Sequence, residues 1–422
     1  MAGAEALPLD AMSKPIRIPI TNIFDGSDYT ARILVGSNQT PANVILDTGS
    51  SNLAVNPSAY DGTRDRHLKP TKYVQLVTYG TGGWAGPMVT TSLKLGVKGD
   101  AVYLEKAPIA LADVQQRGSF DGVDGILGLA YNSLNSAIDF TPLLAAHSIQ
   151  PAVTHPWPFS SRSFGAWAKK FGQALANLDQ IQIPPYFDEL EEKGTIANKF
   201  AFYTLRSWIS VRHQRKAEIA RDPLNQGFFI LGGGEEQTDL YQGGFLTVDV
   251  VHDRYYNTRL KAFQVGSCAP VPALPLQAKY RKDHISNSII DSGTSDLTLA
   301  ADVFDGILKA LNRLNPKFTA LIRAARSKHR ADAAALNLPA WPDLHFILAG
   351  ERGEDIRLTC TPRTYWQVDF PAAGRAAFQL SGPLGEAHQS ILGLPLLNNY
   401  YTVFDRSAHS HGVVRFAPIK GR

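Results

Sequence analysis

The feature that most constrains this chain is that it repeats itself. Residues 44–55 read VILDTGSSNLAV and residues 289–299 read IIDSGTSDLTL, so Asp47 and Asp291 each follow an apolar run and each open an Asp-(Thr/Ser)-Gly-(Ser/Thr)-Ser word. A second word recurs behind each: Asp124-Gly125-Ile126-Leu127-Gly128-Leu129 in the first half, Ser390-Ile391-Leu392-Gly393-Leu394 in the second. Chance seldom writes two words twice in the same order, whereas internal duplication does. At 422 residues the chain exceeds the usual length of one domain. Two related lobes are therefore expected, residues 14–205 carrying the first Asp and residues 206–422 the second, with the last strand returning to a sheet between them.

Between the words lie short strand-like runs bounded by turn formers: Tyr73 to Thr78, Val89 to Leu95, Phe228 to Leu231, Phe245 to Val251 and Tyr400 to Phe404. With 35 Gly and 26 Pro available for turns, this pattern predicts an all-β fold with a few helices. Helical spacing is confined to Tyr186–Lys193 and to Ala300–Leu311, where Val303, Ile307 and Leu311 recur on one face. The Ala-rich, basic segment Leu321–Ala335 reads as a solvated helical extension. Two stretches read as surface insertions: 147–184, rich in Pro and carrying Trp157, Phe159, Phe164 and Trp167, and the charged segment 208–223. The aromatic one suits a satellite cluster under a long loop, or a contact with a partner or substrate.

Charge excludes some classes. A net charge of +4 with no basic tail gives no footprint for nucleic acid. Two cysteines, Cys268 and Cys360, cannot form a disulfide framework. No window offers the ~18–20 consecutive apolar residues of a membrane helix. Met1 to Lys14 shows no basic start followed by an apolar stretch, so an unexported, cytoplasmic protein is expected, with the sequon at Asn38 idle. A monomer is expected.

The repeated word has a chemical logic. An Asp at the end of a buried strand must find donors, and the hydroxyls and backbone N–H groups of a tight turn supply them. Gly49 and Gly293 allow close approach where a Cβ would obstruct. If the lobes face each other across a pseudo-two-fold axis, Asp47 and Asp291 meet at the centre. Two adjacent carboxylates resist joint ionisation, so they share a proton and act as an acid/base pair on one water. That chemistry requires no metal, cofactor or covalent intermediate. Other hydrolytic signatures, Gly-x-Ser-x-Gly or His-Glu-x-x-His, are missing from the sequence, and His409 and His411 read as solvated loop residues.

On these residues the chain resembles the pepsin-like aspartic endopeptidases, from about Ile18 to Pro418. The resemblance implies a bilobal fold with a central cleft, and Asp47 and Asp291 as the catalytic pair, with Ser50 and Thr294 as supporting hydroxyls and Thr48 and Ser292 cross-linking the two active loops. Tyr79-Gly80-Thr81-Gly82 resembles the tip of the family's flap, implying that Tyr79 shields the pair and that Gly80 and Thr81 bind peptide backbone. Val123, Ile126 and Ile289 fall where the apolar pocket walls would be, and Tyr400 to Arg406 resembles the family's closing strand. One departure stands out: Ala54 occupies the position where the family usually has Trp, so Trp84 is a candidate to take over its role. The resemblance further implies extended polypeptide substrates with apolar residues at the cut bond, an acidic optimum and sensitivity to statine-type peptide inhibitors. The competing reading, a catalytically silent pepsin-fold binding or inhibitor protein, usually entails loss of one Asp or of the adjacent Gly, and neither is lost.

Overall fold

The computed structural model describes residues 14–78, 82–97, 99–116, 120, 122–159, 175, 177–326, 330–383 and 389–421. Strands dominate, and the all-β expectation holds, with short helices at the edges.

The duplicated words become duplicated topology. In the N-terminal half the strand Thr40–Asp47 runs parallel to Gly125–Gly128, which in turn lies antiparallel to Leu53–Val55. The C-terminal half repeats this: Ser288–Ile290 runs parallel to Ser390–Leu392, and Leu297–Thr298 lies antiparallel to it. Each half closes with another parallel neighbour, Leu53–Val55 beside Asp100–Leu111 and Leu297–Thr298 beside Leu380–Ser381. Period-two patterning explains the first of these strands. Ala42, Val44 and Leu46 are fully buried in the main core, which leaves Ile45 and Asp47 on the opposite face.

The glycine in each Ile-Leu-Gly word is required by crowding. A Cβ on Gly128 would stand 2.5 Å from the Ser50 carbonyl oxygen, and one on Gly393 would stand 2.2 Å from that of Thr294. Both words are therefore the backs against which the Asp-bearing loops rest.

A shared sheet joins the halves. Ile16–Thr21 pairs with Gln226–Leu231, which pairs with Lys199–Tyr203, followed by Tyr400–Asp405, Val413–Pro418 and Leu246–Asp249. Phe200, Phe404 and Tyr256 pack where these strands meet, with Phe200 stacked 5.0 Å from Phe404 and Tyr256 edge-on to Phe404 at 4.7 Å. In the first half, Lys69–Thr78 and Gly83–Val97 form a long hairpin whose last described pair is Thr78 opposite Gly83.

One segment differs in part from its sequence reading. Of Leu321–Ala335, the described helical parts are the end of the helix Pro316–Arg326 and a 3-10 turn at Ala333–Ala335, with a short strand at Ala331–Asp332 before that turn. The basic Arg323 and Arg326 of the helix are exposed, as expected of a solvated face, while Phe318, Ile322 and Ala325 form a buried stripe on the other. The charged segment 208–223 lies at the surface, as expected, with Arg212, Arg215, Lys216 and Arg221 exposed, and is anchored from beneath. The Asp222 side chain is fully buried, paired with Arg212 at 2.8 Å, and accepts from the Leu224 amide. Asn225 bonds both backbone groups of Ser210. The aromatic insertion packs Trp157 and Phe159 beside Phe140, Val74 and Leu144 under the hairpin, while its Phe164 and Trp167 lie outside the described residues. Cys268 and Cys360 are both free.

Candidate active site

Asp47 and Asp291 each end a buried strand and each are 7% exposed. The two loops clothe them alike. Asp47 accepts from the Gly49 amide at 2.7 Å and from the Ser50 hydroxyl at 2.5 Å. Asp291 accepts from the Gly293 amide at 2.9 Å and from the Thr294 hydroxyl at 2.6 Å. The geometry around the two glycines shows how close the carboxylates are. A Cβ on Gly49 would lie 2.7 Å from Asp291 Oδ2, and a Cβ on Gly293 would lie 2.3 Å from Asp47 Oδ1. Each carboxylate thus sits against the glycine of the opposite loop, and no other residue type fits at 49 or 293 without displacing a carboxylate.

The loops are locked to each other by a reciprocal bond set. The Thr48 amide donates to Ser292 Oγ at 3.1 Å and the Ser292 amide to Thr48 Oγ1 at 2.8 Å. Each hydroxyl then donates across the interface, Thr48 to the Ile290 carbonyl at 3.2 Å and Ser292 to the Leu46 carbonyl at 2.8 Å. All four groups are buried, so the pairing also satisfies backbone that would otherwise be stranded.

Burial raises the Asp47 carboxyl well above the usual carboxylate range, and the neighbouring Asp291 pushes it further in the same direction, against the Ser50 and Gly49 hydrogen bonds. The arrangement favours a pair that holds one proton between its members.

The sequence-predicted pocket residues are placed as follows. Val123 and Ile126 are buried in an apolar cluster with Ala54, Trp84, Met88 and Phe120. Ile289 is also buried and shares its strand face with Asp291 by alternation. Tyr79, Gly80 and Thr81 lie outside the described residues. Ala54 and Trp84 are both fully buried in the same apolar cluster. His409 and His411 lie in a surface loop, as expected, with the His409 side chain 60% exposed. His409 pairs with Glu351 at 2.8 Å, and His411 stacks on His252 at 5.7 Å.

Sequence reasoning missed several residues near the pair. Asp28 hydrogen-bonds Ser295 and lies within electrostatic reach of both central carboxylates; burial first, then Asp25, hold its carboxyl well above the ordinary range. Its Oδ1 is sealed from solvent without a partner among the described residues. Asn135 is a hub: it accepts from Asn52 at 3.0 Å and Gln75 at 2.7 Å, and donates to the Ile183 carbonyl at 2.7 Å. It thereby ties the first active loop to the base of the long hairpin. Tyr256 donates to the Leu129 carbonyl at 2.8 Å, and the Leu129 amide donates to the Asp47 carbonyl at 2.7 Å. These positions occur once in the chain and sit in no repeated word, so nothing in the sequence distinguished them.

An all-β chain of two related lobes, each delivering one carboxylate to a shared centre, has the architecture of a pepsin-like aspartic hydrolase. A family model described as eukaryotic aspartyl protease matches residues 28–154 and 171–418, and the chain belongs to that family. It is an aspartic-type hydrolase. Among curated proteins it is 22% identical over 456 residues to a beta-secretase of Strongylocentrotus purpuratus, an alignment covering 98% of this chain and 73% of the relative. It is 22% identical over 427 residues to a vacuolar aspartic protease of Candida albicans, covering 95% and 77%. To a pepsin-2B of Gadus morhua it is 23% identical over 406 residues, covering 93% and 96%.

Proposed function

We propose that this chain is an endopeptidase that hydrolyses peptide bonds in extended polypeptides with one water activated between Asp47 and Asp291, and that it works best at acidic pH. The observation that carries the reading is the reciprocal approach of each carboxylate to the glycine of the opposite loop. It leaves the two acids close enough to share a proton, the arrangement general acid/base hydrolysis needs.

In this mechanism the pair enters the reaction with one proton. The ionised carboxylate takes a proton from the attacking water as its oxygen bonds the peptide carbon. The protonated carboxyl donates to the carbonyl oxygen, giving a neutral gem-diol. One carboxyl then gives its proton to the departing nitrogen while the other takes a proton from a gem-diol hydroxyl, so that the C–N bond breaks, the product carboxyl forms and the pair again holds one proton. Ser50, Gly49, Thr294 and Gly293 hold the carboxylates in plane through their hydrogen bonds, and the Thr48–Ser292 lock fixes the distance between them. The hairpin of Lys69–Thr78 and Gly83–Val97 covers the substrate strand, and the resemblance assigns peptide binding to Tyr79, Gly80 and Thr81. Val123, Ile126 and Ile289 favour apolar residues at the cut bond. The lobes correspond to residues 14–205 and 206–422, and the protein acts in the cytoplasm as a monomer.

The test is a library of extended peptides incubated with the purified chain at acidic pH, with fragments identified by mass spectrometry. Internal cuts between apolar residues, blocked by a statine-type peptide, are expected. A strict preference for charged residues at the cut bond itself would overturn the assigned specificity, and no cleavage by folded protein would overturn the activity.

A further inference from the structure

The turn at residues 252–256 crosses from the second lobe to the first. It is closed by the Val251 amide on the Asn257 carbonyl at 2.8 Å, the Arg254 amide on His252 Nδ1 at 3.1 Å and the Tyr255 amide on Asn257 Oδ1 at 3.0 Å. Two bonds then seat it on the other lobe. Tyr256 reaches the Leu129 carbonyl, and Ser133 donates to the Asp253 carbonyl at 3.4 Å. Because the Leu129 amide binds the Asp47 carbonyl, this turn is anchored one residue from the backbone that carries the first carboxylate.

Its tip presents Arg254 and Tyr255. The Arg254 guanidinium lies 6.0 Å from the Tyr255 ring centre. The Tyr255 phenol is raised chiefly by burial and lowered by its hydrogen bond to Arg254, while Asp291 and Asp47 both act on it electrostatically. The side chain is therefore within electrostatic reach of both central carboxylates and is hydrogen-bonded to the Arg254 guanidinium. That guanidinium is unfinished. Its Nε is buried with no acceptor, and among the described residues Arg254 forms no ion pair. The adjacent acid is already engaged: Asp253 faces His252 at 3.4 Å and His411 at 3.6 Å.

A half-buried guanidinium that makes no ion pair among the described residues, on a turn tied to the catalytic strand, is suited to a planar anion that approaches its terminal N–H groups. We propose that Arg254 is a specificity-determining residue that receives the carboxylate of an Asp or Glu flanking the cut bond in the substrate, with Tyr255 orienting the guanidinium. The assignment rests on the Asp47–Asp291 pair being the reaction centre. It also answers a charge problem: a pair holding one proton carries one negative charge, which repels an acidic residue nearby unless a cation receives it.

The test uses statine-type peptides in which the two residues on either side of the statine unit are, one at a time, Glu or Gln, with affinities measured by calorimetry at about pH 5, above the ordinary Glu value of about 4.3. For the wild-type chain, Glu is expected to bind at least about tenfold tighter than Gln at one position. In R254Q that ratio should fall to about one, and R254K should recover only part of it, since an ammonium cannot make the two-pronged pair. Taking the ratio within each variant cancels a general loss of affinity, and R254K decides if R254Q does not fold. A ratio near one at every position in the wild type, or an unchanged ratio in R254Q, overturns the inference while binding of the apolar statine peptide leaves the reaction centre standing. Failure of every statine peptide to bind removes both.

Discussion

Removing the Ser292 hydroxyl should loosen the joint between the two active loops while leaving both carboxylates chemically intact. Ser292 is 2% exposed, and its Oγ accepts from the Thr48 amide at 3.1 Å while donating to the Leu46 carbonyl at 2.8 Å. Ser292→Ala strands one donor and one acceptor in a buried interface. At roughly 1–3 kcal/mol for each stranded group, the expected loss is about 2–6 kcal/mol. Thr48→Val keeps the side-chain shape and strands the Ser292 amide and the Ile290 carbonyl instead, so a loss of similar size is expected. The double variant should cost less than the sum, because water that enters after the first loss hydrates groups that the second would have stranded. Turnover should fall more steeply than stability, since a displacement of about 1 Å between reacting groups costs on the order of a hundredfold in rate. Denaturant unfolding and peptide hydrolysis on the same preparations measure both effects. If Ser292→Ala unfolds within about 0.5 kcal/mol of the wild type, within the range of neutral surface changes, and keeps full turnover, the loops are positioned by the shared sheet and the reasoning is wrong.

Three other outcomes follow from packing and charge. Ala54→Trp, which places the family's usual residue in a cluster already filled by Trp84, should destabilise by about 1–3 kcal/mol through overpacking, with partial recovery in the Ala54→Trp/Trp84→Ala double variant; a neutral shift in denaturant midpoint would show that Trp84 does not use this space. Asn135→Ala leaves the Asn52 and Gln75 side chains and the Ile183 carbonyl without their partner, and should lower stability by about 3 kcal/mol together with kcat/KM; unchanged kinetics would mean that the hairpin base needs no such tie. Asp28→Asn tests linkage. The folded protein holds the Asp28 proton more tightly than the unfolded chain does, so this carboxyl costs stability as pH rises above the unfolded value of about 3.9. The variant should therefore gain stability over wild type progressively above about pH 4 and show no such gain at pH 3, and a pH-independent difference in melting temperature would contradict the assignment.

What the sequence disclosed was what it wrote twice. The Asp words and the Ile-Leu-Gly words fixed both loops, their glycine backs and the two-lobed plan, because the same steric demand recurs at Gly128 and Gly393. Helical spacing at Val303, Ile307 and Leu311 also led to a helix, Ala301–Leu314. Residues whose role depends on a single distant partner stayed hidden. Tyr256 matters because it meets Leu129, and Asn135 because Gln75 and Asn52 converge on it; no local pattern encodes such a meeting. The anchor beneath segment 208–223 stayed hidden for the same reason, since no local pattern pairs Asp222 with Arg212 or Asn225 with Ser210. In residues 316–326 the basic residues masked an apolar stripe at 318, 322 and 325 that follows helical spacing.

The central claim is that two carboxylates from opposite lobes work as one catalytic unit. It is tested most directly by following cleavage of one extended apolar peptide from about pH 3 to 7 with the wild-type chain, Asp47→Asn and Asp291→Asn, each checked for folding. The account predicts acid-favoured cleavage by the wild type, with rate falling as the shared proton is lost, and none by either variant. Substantial turnover in one Asn variant, with its partner carboxylate alone, would contradict it.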